Sequence, residues 1–484
     1  MLFHLALELY ESPMRAKTEV QFNSRASPWS MFPLRITVIG CGHVGLVTGG
    51  CLASVGHHVT CVDLDRERIG LLNAGRLPIF ESHLADLFSC CRGAGTLTFT
   101  CDSDKAVKDA EVIFLCVGVP QLENGDSDFS AVDTAARQIA QAADTPKLIV
   151  VRSTMPVQTG DQLRHLFTVY KRNCQVHFSI AANPQFLREG TAVEDFLHPE
   201  RVLLGVEDPM SENTLREIYA PVLMNNFCCP VHSLGCPPRK TPDLLITSIR
   251  SAEMIKHASN AFLAVKISYA NVLADLCERL GANVQEVTRA IGLDPRIRPS
   301  FLNAGIGFGG SRLPKDLRAF CRLTERVGVE AGILQAAEGV NSKRIDLFFG
   351  KVQRSLWVLK DKRIGLLGLA HKSGTDDIRG SPAIELFNRF KAAGAKVHAY
   401  DPRAMGQAHC AYPDMICGED AYNVAERADA LVVATDWKEF LELDWKRIRN
   451  VMARPTLFDG RNLLSPPQMK ALGFEYYSVG RPDS

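Results

Sequence analysis

Three glycines early in the chain have the spacing of a phosphate-binding turn. Gly40, Gly42 and Gly45 form G-C-G-H-V-G where the β-branched run RITVI meets the helical stretch VGLVTGGCLASVG. The first glycine of such a turn allows the tight bend, the second lets the backbone approach a pyrophosphate, and the third lets helix and strand pack closely. The amino terminus of the helix, where His43 and Val44 lie, would then face the phosphates. Alone, the three glycines also fit a plain turn.

An acidic residue stands where a ribose-binding carboxylate is needed. Asp63 follows Gly45 by eighteen residues, at the carboxyl end of the second predicted strand, HHVTCVDLD. A carboxylate there accepts hydrogen bonds from both ribose hydroxyls and repels a 2'-phosphate, so it favours NAD over NADP. A solvated residue at a strand end is the alternative, but strand, helix and acid in register favour the cofactor.

Three further groups could do chemistry later in the chain. Lys256 and Asn260 are four residues apart, so their side chains emerge one helical turn from each other; a solvated helix face is the alternative for the lysine. Asp316, in P-K-D, can hold a water or orient a lysine, or can be the first-turn acid of a helix that begins after Pro314. The run GIGFGG, residues 305–310, can admit a ligand close to the backbone or be a flexible turn.

Short apolar strands alternating with helices must position these groups. Strands are predicted at RITVI, HHVTCVDLD, AEVIFLCVG, KLIVVRST, VHFSIAANP and RVLLGV, and again at KRIGLLGLA, AKVHAYDP, ADALVVATD and PTLFDGR. Between the two sets, ITSIRSAEMIKHASNAFLAVKISYANVLADLCERLG predicts one long helix whose alanines indicate close packing, against a second subunit in a dimer. The fold class is therefore α/β, with two Rossmann-like doubly wound parallel-sheet domains joined by a central long-helix domain.

Changes in composition set the domain limits. Residues 1–34 are expected to be a disordered extension, or to precede a true start at Met31, because their apolar segment follows no basic residues and is interrupted by glutamates. The dinucleotide-binding domain takes residues 35–235 and ends in the Pro- and Gly-rich segment VHSLGCPPRKTPDLL. Residues 236–345 form the central helical domain, and residues 346–484 the last α/β domain.

Composition excludes several classes of protein. Lys plus Arg total 55 and Asp plus Glu 54, so no excess charge draws the chain to nucleic acid or an anionic membrane. Fifteen scattered cysteines without a C-x-x-C pair predict reduced thiols in a cytoplasm. No apolar run approaches the ~20 residues that cross a bilayer. No metal site is assigned.

Longer motifs carry a resemblance to a known family. The segments GCGHVGLVTGGCLASVGHHVTCVDLD, VRSTMPVQTG, NPQFLREGTAVEDFLHPERVLLG, SAEMIKHASNAFLAVKIS, RIRPSFLNAGIGFGGSRLPKD and GLAHKSGTDDIRGSP together resemble the UDP-glucose/GDP-mannose dehydrogenase family. The resemblance runs from about Arg35 to Pro482. It implies that the chain oxidises the C6 alcohol of a nucleotide sugar to a carboxylate with two NAD, UDP-glucose to UDP-glucuronate being the expected reaction. The aldehyde between the two oxidations is held on a cysteine as a thiohemiacetal.

The resemblance also implies a role for individual residues. Lys256 would stabilise the developing oxyanion, Asn260 would fix the reacting centre, and Asp316 would hold a water or orient the lysine. The expected cofactor-binding residues are Gly40, Gly42, His43, Val44, Gly45, Asp63, Arg68, Val119, Ser153, Thr154, Glu189, Lys315 and Arg379. The expected sugar-nucleotide residues are Phe186, Leu187, Glu189, Lys256, Asn260, Arg296, Phe301, Gly305, Phe308, Gly309, Lys372 and Arg461, with Arg296 placed at the neighbouring subunit's site.

Two positions of the expected chemistry are changed. Arg312 follows G-F-G-G-S where the family has its nucleophilic cysteine, and a guanidinium has no lone pair with which to form a thiohemiacetal. Gln185 stands in N-P-Q-F where the family has a glutamate, and an amide cannot accept and return a proton. Cys321 lies nine residues beyond Arg312, too far along a helix to substitute. Val119 replaces a threonine that contacts the cofactor.

The two changes leave several functions open. The chain can be a dehydrogenase that completes the oxidation slowly, or one that stops at the aldehyde. It can instead be a catalytically silent protein that binds NAD and a nucleotide sugar, or a regulatory subunit of an active relative. A further alternative pairs Arg312 with a substrate carboxylate, so that the ligand would be a UDP-uronate.

Overall fold

Apolar runs buried on both faces form the first sheet of the computed structural model, which describes residues 33–122, 127–232, 236 and 240–482. The strands are β1 (Arg35–Ile39), β2 (His58–Val62), β3 (Leu97–Thr100), β4 (Val112–Leu115), β5 (Lys147–Val151), β6 (Phe178–Ala182), β7 (Arg201–Gly205) and β8 (Asp243–Thr247). Their order is β3-β2-β1-β4-β5-β6-β7-β8. Neighbours pair in parallel, except that β6 and β7 are antiparallel through Ala182 and Gly205.

Helices cover both faces of this sheet. They are α1 (His43–Ser54), α2 (Arg66–Asn73), α3 (Leu84–Gly93), α4 (Ser103–Asp109), α5 (Ser130–Ala142), α6 (Thr159–Tyr170), α7 (Ala192–Leu197) and α8 (Pro209–Leu223). Alternate residues of β1 point to opposite layers: Ile36 and Val38 pack with α1, α3, α7 and α8, whereas Ile39 packs with α4, α5 and α6. This period of two gives two apolar layers and explains why the strands read as continuous apolar runs.

Four helices follow the first sheet: α9 (Ile249–Leu280), α10 (Val284–Gly292), α11 (Leu313–Arg326) and α12 (Gly332–Leu356). The long helix α9 begins after Ser248, whose hydroxyl accepts a hydrogen bond from the Ser251 backbone N–H at 3.2 Å. It ends at Gly281, which has a left-handed φ of +70°. The predicted long helix is confirmed, but Ile246 and Thr247 at its expected start belong to β8.

A second sheet completes the described chain. Its strands are β9 (Arg363–Leu367), β10 (Lys396–Tyr400), β11 (Ile416–Cys417), β12 (Ala430–Val433), β13 (Thr456–Asp459) and β14 (Glu475–Tyr477), in the all-parallel order β11-β10-β9-β12-β13-β14. Its helices are α13 (Pro382–Ala392), α14 (Met405–Ala411), α15 (Ala421–Ala425), α16 (Trp445–Val451) and α17 (Pro466–Ala471), with a 3-10 helix at Lys438–Leu441.

The predicted fold class is confirmed, whereas two domain limits need comment. Strand β8 lies beyond residue 235 and yet pairs with β7, and α12 runs across the limit at residue 345. The limits at residues 235 and 345 therefore remain predictions: β8, placed in the central domain, belongs to the first sheet, and α12 spans the second limit. The predicted extension over residues 1–34 falls almost wholly outside the described residues. Among the described helices, none combines the length and apolarity needed to span a bilayer.

Candidate active site

Close packing explains two of the three glycines after β1. Gly40 has a φ of +101°, and a Cβ added to it would lie 2.9 Å from the Cys116 carbonyl oxygen. A Cβ on Gly45 would lie 1.7 Å from the Gly40 carbonyl oxygen, so no side chain fits between turn and helix. A Cβ on Gly42 would meet nothing within 4 Å, and Gly42 precedes α1 without a capping side chain. The turn thus leaves the amino terminus of α1 open to a phosphate.

Asp63 is a partner of the glycine turn. Its Oδ2 accepts a hydrogen bond from the Cys41 backbone N–H at 2.7 Å and another from Arg68 Nη1 at 3.0 Å. Its Oδ1 accepts one from the Asp65 backbone N–H at 3.0 Å. The solvated strand-end alternative is therefore wrong, because the carboxylate is fixed at the carboxyl end of β2, beside the turn.

A cavity of about 910 Å³ opens at this edge of the first sheet. The expected cofactor and catalytic residues that line it are Gly40, Gly42, His43, Val44, Asp63, Arg68, Val119, Ser153, Thr154, Gln185, Glu189, Arg312, Lys315, Asp316 and Arg379. Gly45 lies behind the turn. A hydrogen bond joins two of the lining residues: Lys315 Nζ donates to the Val119 carbonyl oxygen at 2.8 Å. The changed residue Val119 therefore contributes a backbone oxygen to the wall of the cavity.

Lys256 and Asn260 lie close to Asp316, which lines this cavity. Asn260 Nδ2 donates to Asp316 Oδ2 at 2.6 Å, and both Lys256 and Asp316 are buried. Burial lowers the pKa of Lys256 to about 8; the Asp316 carboxylate opposes this lowering and the Arg312 guanidinium adds to it. The solvated-face alternative for Lys256 is wrong. Asp316 is both a first-turn acid of α11 and a partner of α9, so its two sequence interpretations hold together.

The loop that follows β6 holds Gln185 in a local bond. Gln185 is buried, and its Oε1 accepts a hydrogen bond from the Leu187 backbone N–H at 2.7 Å. Phe186 faces the other way, where its ring lies 4.2 Å from the Arg201 guanidinium carbon and 5.0 Å from Lys256 Nζ. The loop thus presents an amide at the cavity and an aromatic face to the buried lysine.

Arg312 reaches across the cavity to three groups. Its Nη2 lies 3.0 Å from His43 Nδ1, its Nη1 donates to the Leu187 carbonyl at 3.2 Å, and its Nε lies 3.2 Å from Glu189 Oε1. Glu189 is buried, and its Oε2 has no hydrogen-bond partner. The position of the expected nucleophile therefore holds a cation that bridges α1 to the loop after β6.

Glu81 anchors this bridge and was missed by the sequence analysis. Its Oε2 lies 2.7 Å from His43 Nε2, and its two oxygens accept hydrogen bonds from the backbone N–H groups of Gly190 and Ala192, each at 2.8 Å. No local motif marks Glu81, because its partners are brought to it by the fold. The chain of contacts Glu81–His43–Arg312–Glu189 positions the turn, the loop and α11 together.

The glycine-rich run 305–310 packs against the second sheet. A Cβ on Gly305 would lie 2.7 Å from the Gly460 carbonyl oxygen, and one on Gly309 would lie 2.2 Å from that of Gly380. Arg461 Nη1 donates to the Gly307 carbonyl at 2.9 Å. The run therefore packs closely against residues of the second α/β region, and the flexible-turn alternative is wrong.

Three polar residues missed from the sequence hold the same run. Asn271 Oδ1 accepts from the Gly305 backbone N–H at 2.9 Å, and Asn341 Oδ1 accepts from the Phe308 N–H at 2.8 Å. Arg344 Nε donates to the Gly305 carbonyl at 3.2 Å. These residues sit on α9 and α12, where helical periodicity alone gives no sign of their contacts.

The remaining expected sugar-nucleotide residues divide into two groups. Lys372 Nζ donates to the Glu189 carbonyl and joins the second sheet to the loop after β6. Arg296, by contrast, is exposed and paired with Asp294 at 2.6 Å, and Phe301 is exposed with a φ of +66°. The structure does not bring Arg296 or Phe301 to the cavity of their own chain.

Comparison with known proteins gives the family. Three domain profiles of the UDP-glucose/GDP-mannose dehydrogenase family match in order: the NAD binding domain at residues 34–223, the central domain at 250–343 and the UDP binding domain at 365–466. The UDP-glucose 6-dehydrogenase of Rhizobium meliloti (strain 1021) is 40% identical over 454 residues, which cover 93% of this chain and 100% of the relative. That of Pseudomonas aeruginosa is 38% identical over 460 residues, covering 93% and 98%.

Solved structures agree with the sequence matches. A UDP-glucose dehydrogenase from the hyperthermophilic archaeon Pyrobaculum islandicum superposes with a TM-score of 0.84 at 32% identity, over 94% of this chain and 99% of the other. A UDP-D-ManNAc dehydrogenase from Pyrococcus horikoshii superposes with a TM-score of 0.79 at 27% identity, over 93% and 100%. Since the profiles, the relatives and the fold all extend over nearly the whole described chain, this protein belongs to the UDP-glucose/GDP-mannose dehydrogenase family.

Proposed function

We propose that this chain oxidises the C6 alcohol of a UDP-sugar with NAD, with UDP-glucose as the expected substrate, and that it supports the first oxidation, to the aldehyde. The observation that carries the proposal is the meeting of Lys256, Asn260 and Asp316 beside a dinucleotide cavity. The matched UDP binding domain and the relatives named UDP-glucose 6-dehydrogenase support the substrate.

The residues of the cavity fit NAD. The open space above Gly42 admits a pyrophosphate to the amino terminus of α1, and the fixed Asp63 carboxylate can receive the ribose hydroxyls. Ser153, Thr154 and Arg379 line the same space. When bound, NAD supplies the hydride acceptor for the oxidation.

The chain's own residues handle the proton. With a pKa of about 8, Lys256 is partly neutral near neutral pH and can take the hydroxyl proton as the hydride leaves C6, so that the alcohol loses two electrons and becomes an aldehyde. In its ammonium form Lys256 stabilises the developing alkoxide. Asn260 and Asp316 hold each other at 2.6 Å and so fix the face of α9 at which this happens.

The second oxidation lacks its expected groups. Arg312 offers no nucleophile for the aldehyde, and its guanidinium is engaged by Glu189, His43 and the Leu187 carbonyl. Gln185 is tied to the Leu187 N–H and cannot shuttle a proton. Oxidation of the free aldehyde hydrate would have to proceed without covalent capture.

The test is product analysis of the native protein. Purified protein is mixed with NAD and each of a panel of UDP- and GDP-sugars, and NADH formation is followed by absorbance. Any sugar aldehyde is trapped with hydroxylamine, and the products are identified by mass spectrometry. The proposal expects NADH and sugar aldehyde in equal amounts with UDP-glucose. Formation of UDP-glucuronate at an ordinary enzyme rate would show that Arg312 and Gln185 do not block the second step.

A second candidate is a protein that binds both ligands without turnover. The contacts of Arg312 favour it, because the guanidinium bridges His43 and Glu189 across the space where a sugar would react. Calorimetric titration separates the two: binding of NAD and UDP-glucose without any NADH supports the silent protein, whereas aldehyde supports the dehydrogenase.

Asp63→Ser is expected to weaken NAD binding about tenfold or more, because hydrogen bonds to a charged group are worth ~1.5–3 kcal/mol. The variant should also lose its discrimination against NADP, since the carboxylate that repels a 2'-phosphate is gone. Fluorescence titration with each dinucleotide measures both effects. Asp102→Ser is the matched control, because Asp102 caps α4 and does not line the cavity. Equal NAD affinity in the Asp63 variant would contradict the assignment.

We further propose a homodimer through α9, in the cytoplasm. Phe262, Tyr269 and Leu276 recur every seven residues on α9 and are 64%, 54% and 49% exposed. A stripe of large apolar side chains on one helix face is typical of a surface that a second helix covers. The fifteen scattered cysteines, without a C-x-x-C pair, support a reducing compartment.

Tyr269→Glu is expected to convert the dimer to monomer, because it places a charge in the centre of the apolar stripe. Size-exclusion chromatography with light scattering measures the mass directly. Met210→Glu is the control, since Met210 is 74% exposed on α8, away from the stripe. A monomeric native protein, or a Tyr269 variant that stays dimeric, would reject the proposed interface.

A further inference from the structure

Two histidines and two cysteines converge at the amino ends of β7 and β8, away from the cavity. His198 follows α7, while Cys229, His232 and Cys236 lie on the connection between α8 and β8. His198 Nε2 lies 3.1 Å from Cys229 Sγ and 3.4 Å from Cys236 Sγ, and Cys229 Sγ lies 3.4 Å from His232 Nδ1. One nitrogen or sulfur atom from each of the four lies within 4.8 Å of the other three.

These separations suit one tetrahedral ion. Bonds of ~2.3 Å to sulfur and ~2.0–2.1 Å to nitrogen place the four ligand atoms of a zinc ion about 3.3–3.8 Å apart. For a nitrogen–sulfur pair the same bond lengths give about 3.5–3.6 Å. The separations of 3.1 and 3.4 Å are slightly shorter than this. Small shifts of the four side chains would therefore be enough to place an ion at their centre.

We propose that His198, Cys229, His232 and Cys236 bind one structural zinc ion. Two sulfur and two nitrogen ligands in tetrahedral array are the set that zinc prefers, and four protein ligands leave no position for water or substrate. Two thiolates also neutralise the charge of Zn²⁺, which suits a half-buried place beside the Phe227 ring, 5.5 Å from the His198 ring. Nothing in this site depends on the dehydrogenase chemistry.

The ion would join two connections that sequence spacing keeps apart. Cys229, His232 and Cys236 form C-x2-H-x3-C, but His198 lies 31 residues before Cys229, so no compact motif marks the set. His198 precedes β7 and the other three precede β8, the edge strand that pairs with β7 in parallel. Zinc would therefore join the segment before β7 to the segment before β8 at the edge of the first sheet. The segment before β7 also contains Gln185 and Glu189.

The test is the zinc content of the untagged full chain, purified under reducing conditions with zinc supplied and then passed over a desalting column. Inductively coupled plasma mass spectrometry is expected to find about one zinc ion per native chain. Cys229→Ser and Cys236→Ser should each fall below about one-fifth of that value, because each removes one of four ligands. Cys228→Ser is the matched control: Cys228 is the exposed neighbour of Cys229 and is not in the cluster.

A second readout decides the matter if the variants fail to fold. Cobalt exchanged into the native protein should show the intense visible bands of a tetrahedral ion and a thiolate charge-transfer band in the near ultraviolet. Native protein with little zinc, an octahedral cobalt spectrum, or equal zinc loss in the Cys228 variant would overturn the site. A disulfide between Cys229 and Cys236 in freshly purified protein would also overturn it.

Discussion

Lys256→Met is expected to reduce NADH formation by about 10²–10⁴-fold while NAD binding stays nearly unchanged, because proton transfer by a positioned side chain contributes that much to a rate. Methionine keeps most of the buried volume, so the loss reports the amine rather than a cavity. Lys266→Met is the control on the same helix, where the lysine binds the carbonyls of Ile297 and Arg298 instead of facing Asp316.

The pH dependence of the native protein gives the same residue a second test. The form of Lys256 that takes a proton is the neutral one, and burial lowers its pKa to about 8. The rate should therefore rise about tenfold per pH unit below that value and level off above it. A rate that is flat between about pH 6 and 9, or a Lys256→Met variant with native activity, would remove Lys256 from the reaction.

Combining Arg312→Cys with Gln185→Glu is expected to change the product from aldehyde to acid. A thiolate at position 312 can attack the aldehyde carbon and form a C–S bond, and loss of a second hydride to a second NAD then gives a thioester. The carboxylate introduced at position 185 can activate the water that releases the acid and regenerates the thiol. The yield should rise from about one to about two NADH per sugar, as two oxidations replace one.

The single changes separate the two roles. Arg312→Cys alone should form the thioester and release it slowly, which intact-protein mass spectrometry detects as a sugar adduct. Arg312→Ala frees the space without supplying a nucleophile and should make no acid. If the Ala variant gives as much acid as the double variant, the effect comes from removing the guanidinium and not from a restored thiol.

Local spacing explains what the sequence could predict. The glycine turn, Asp63 and the Lys256–Asn260 pair are each set by a few neighbouring residues, so strand and helix periodicity were sufficient to place them. Pro and Gly content predicted a domain boundary near residue 235, but it could not show that β8 pairs with β7. An apolar run also does not indicate whether its strand lies parallel or antiparallel to its neighbour, so the antiparallel pairing of β6 and β7 was not predictable.

Contacts between distant segments were beyond the same reasoning. Glu81 meets Gly190 across 109 residues, and Asn271 meets Gly305 across 34. His198 and Cys229 are each ordinary residues when read locally. Such contacts can be recognised only in the folded structure, because the residues are far apart in sequence and no local motif links them.

The bridge from His43 to Arg312 joins residues 269 apart along the chain, and Lys372 reaches back 183 residues to Glu189. During synthesis the amino-terminal sheet can fold first, at a pace set by elongation at about 5–20 residues per second. The ribosome must therefore deliver the chain as far as Lys372 before both of these long-range contacts can form. A chain terminated before α9 would keep the glycine turn and Asp63 but lack Lys256 and Asp316, so under the proposed function it could not generate a reactive sugar aldehyde.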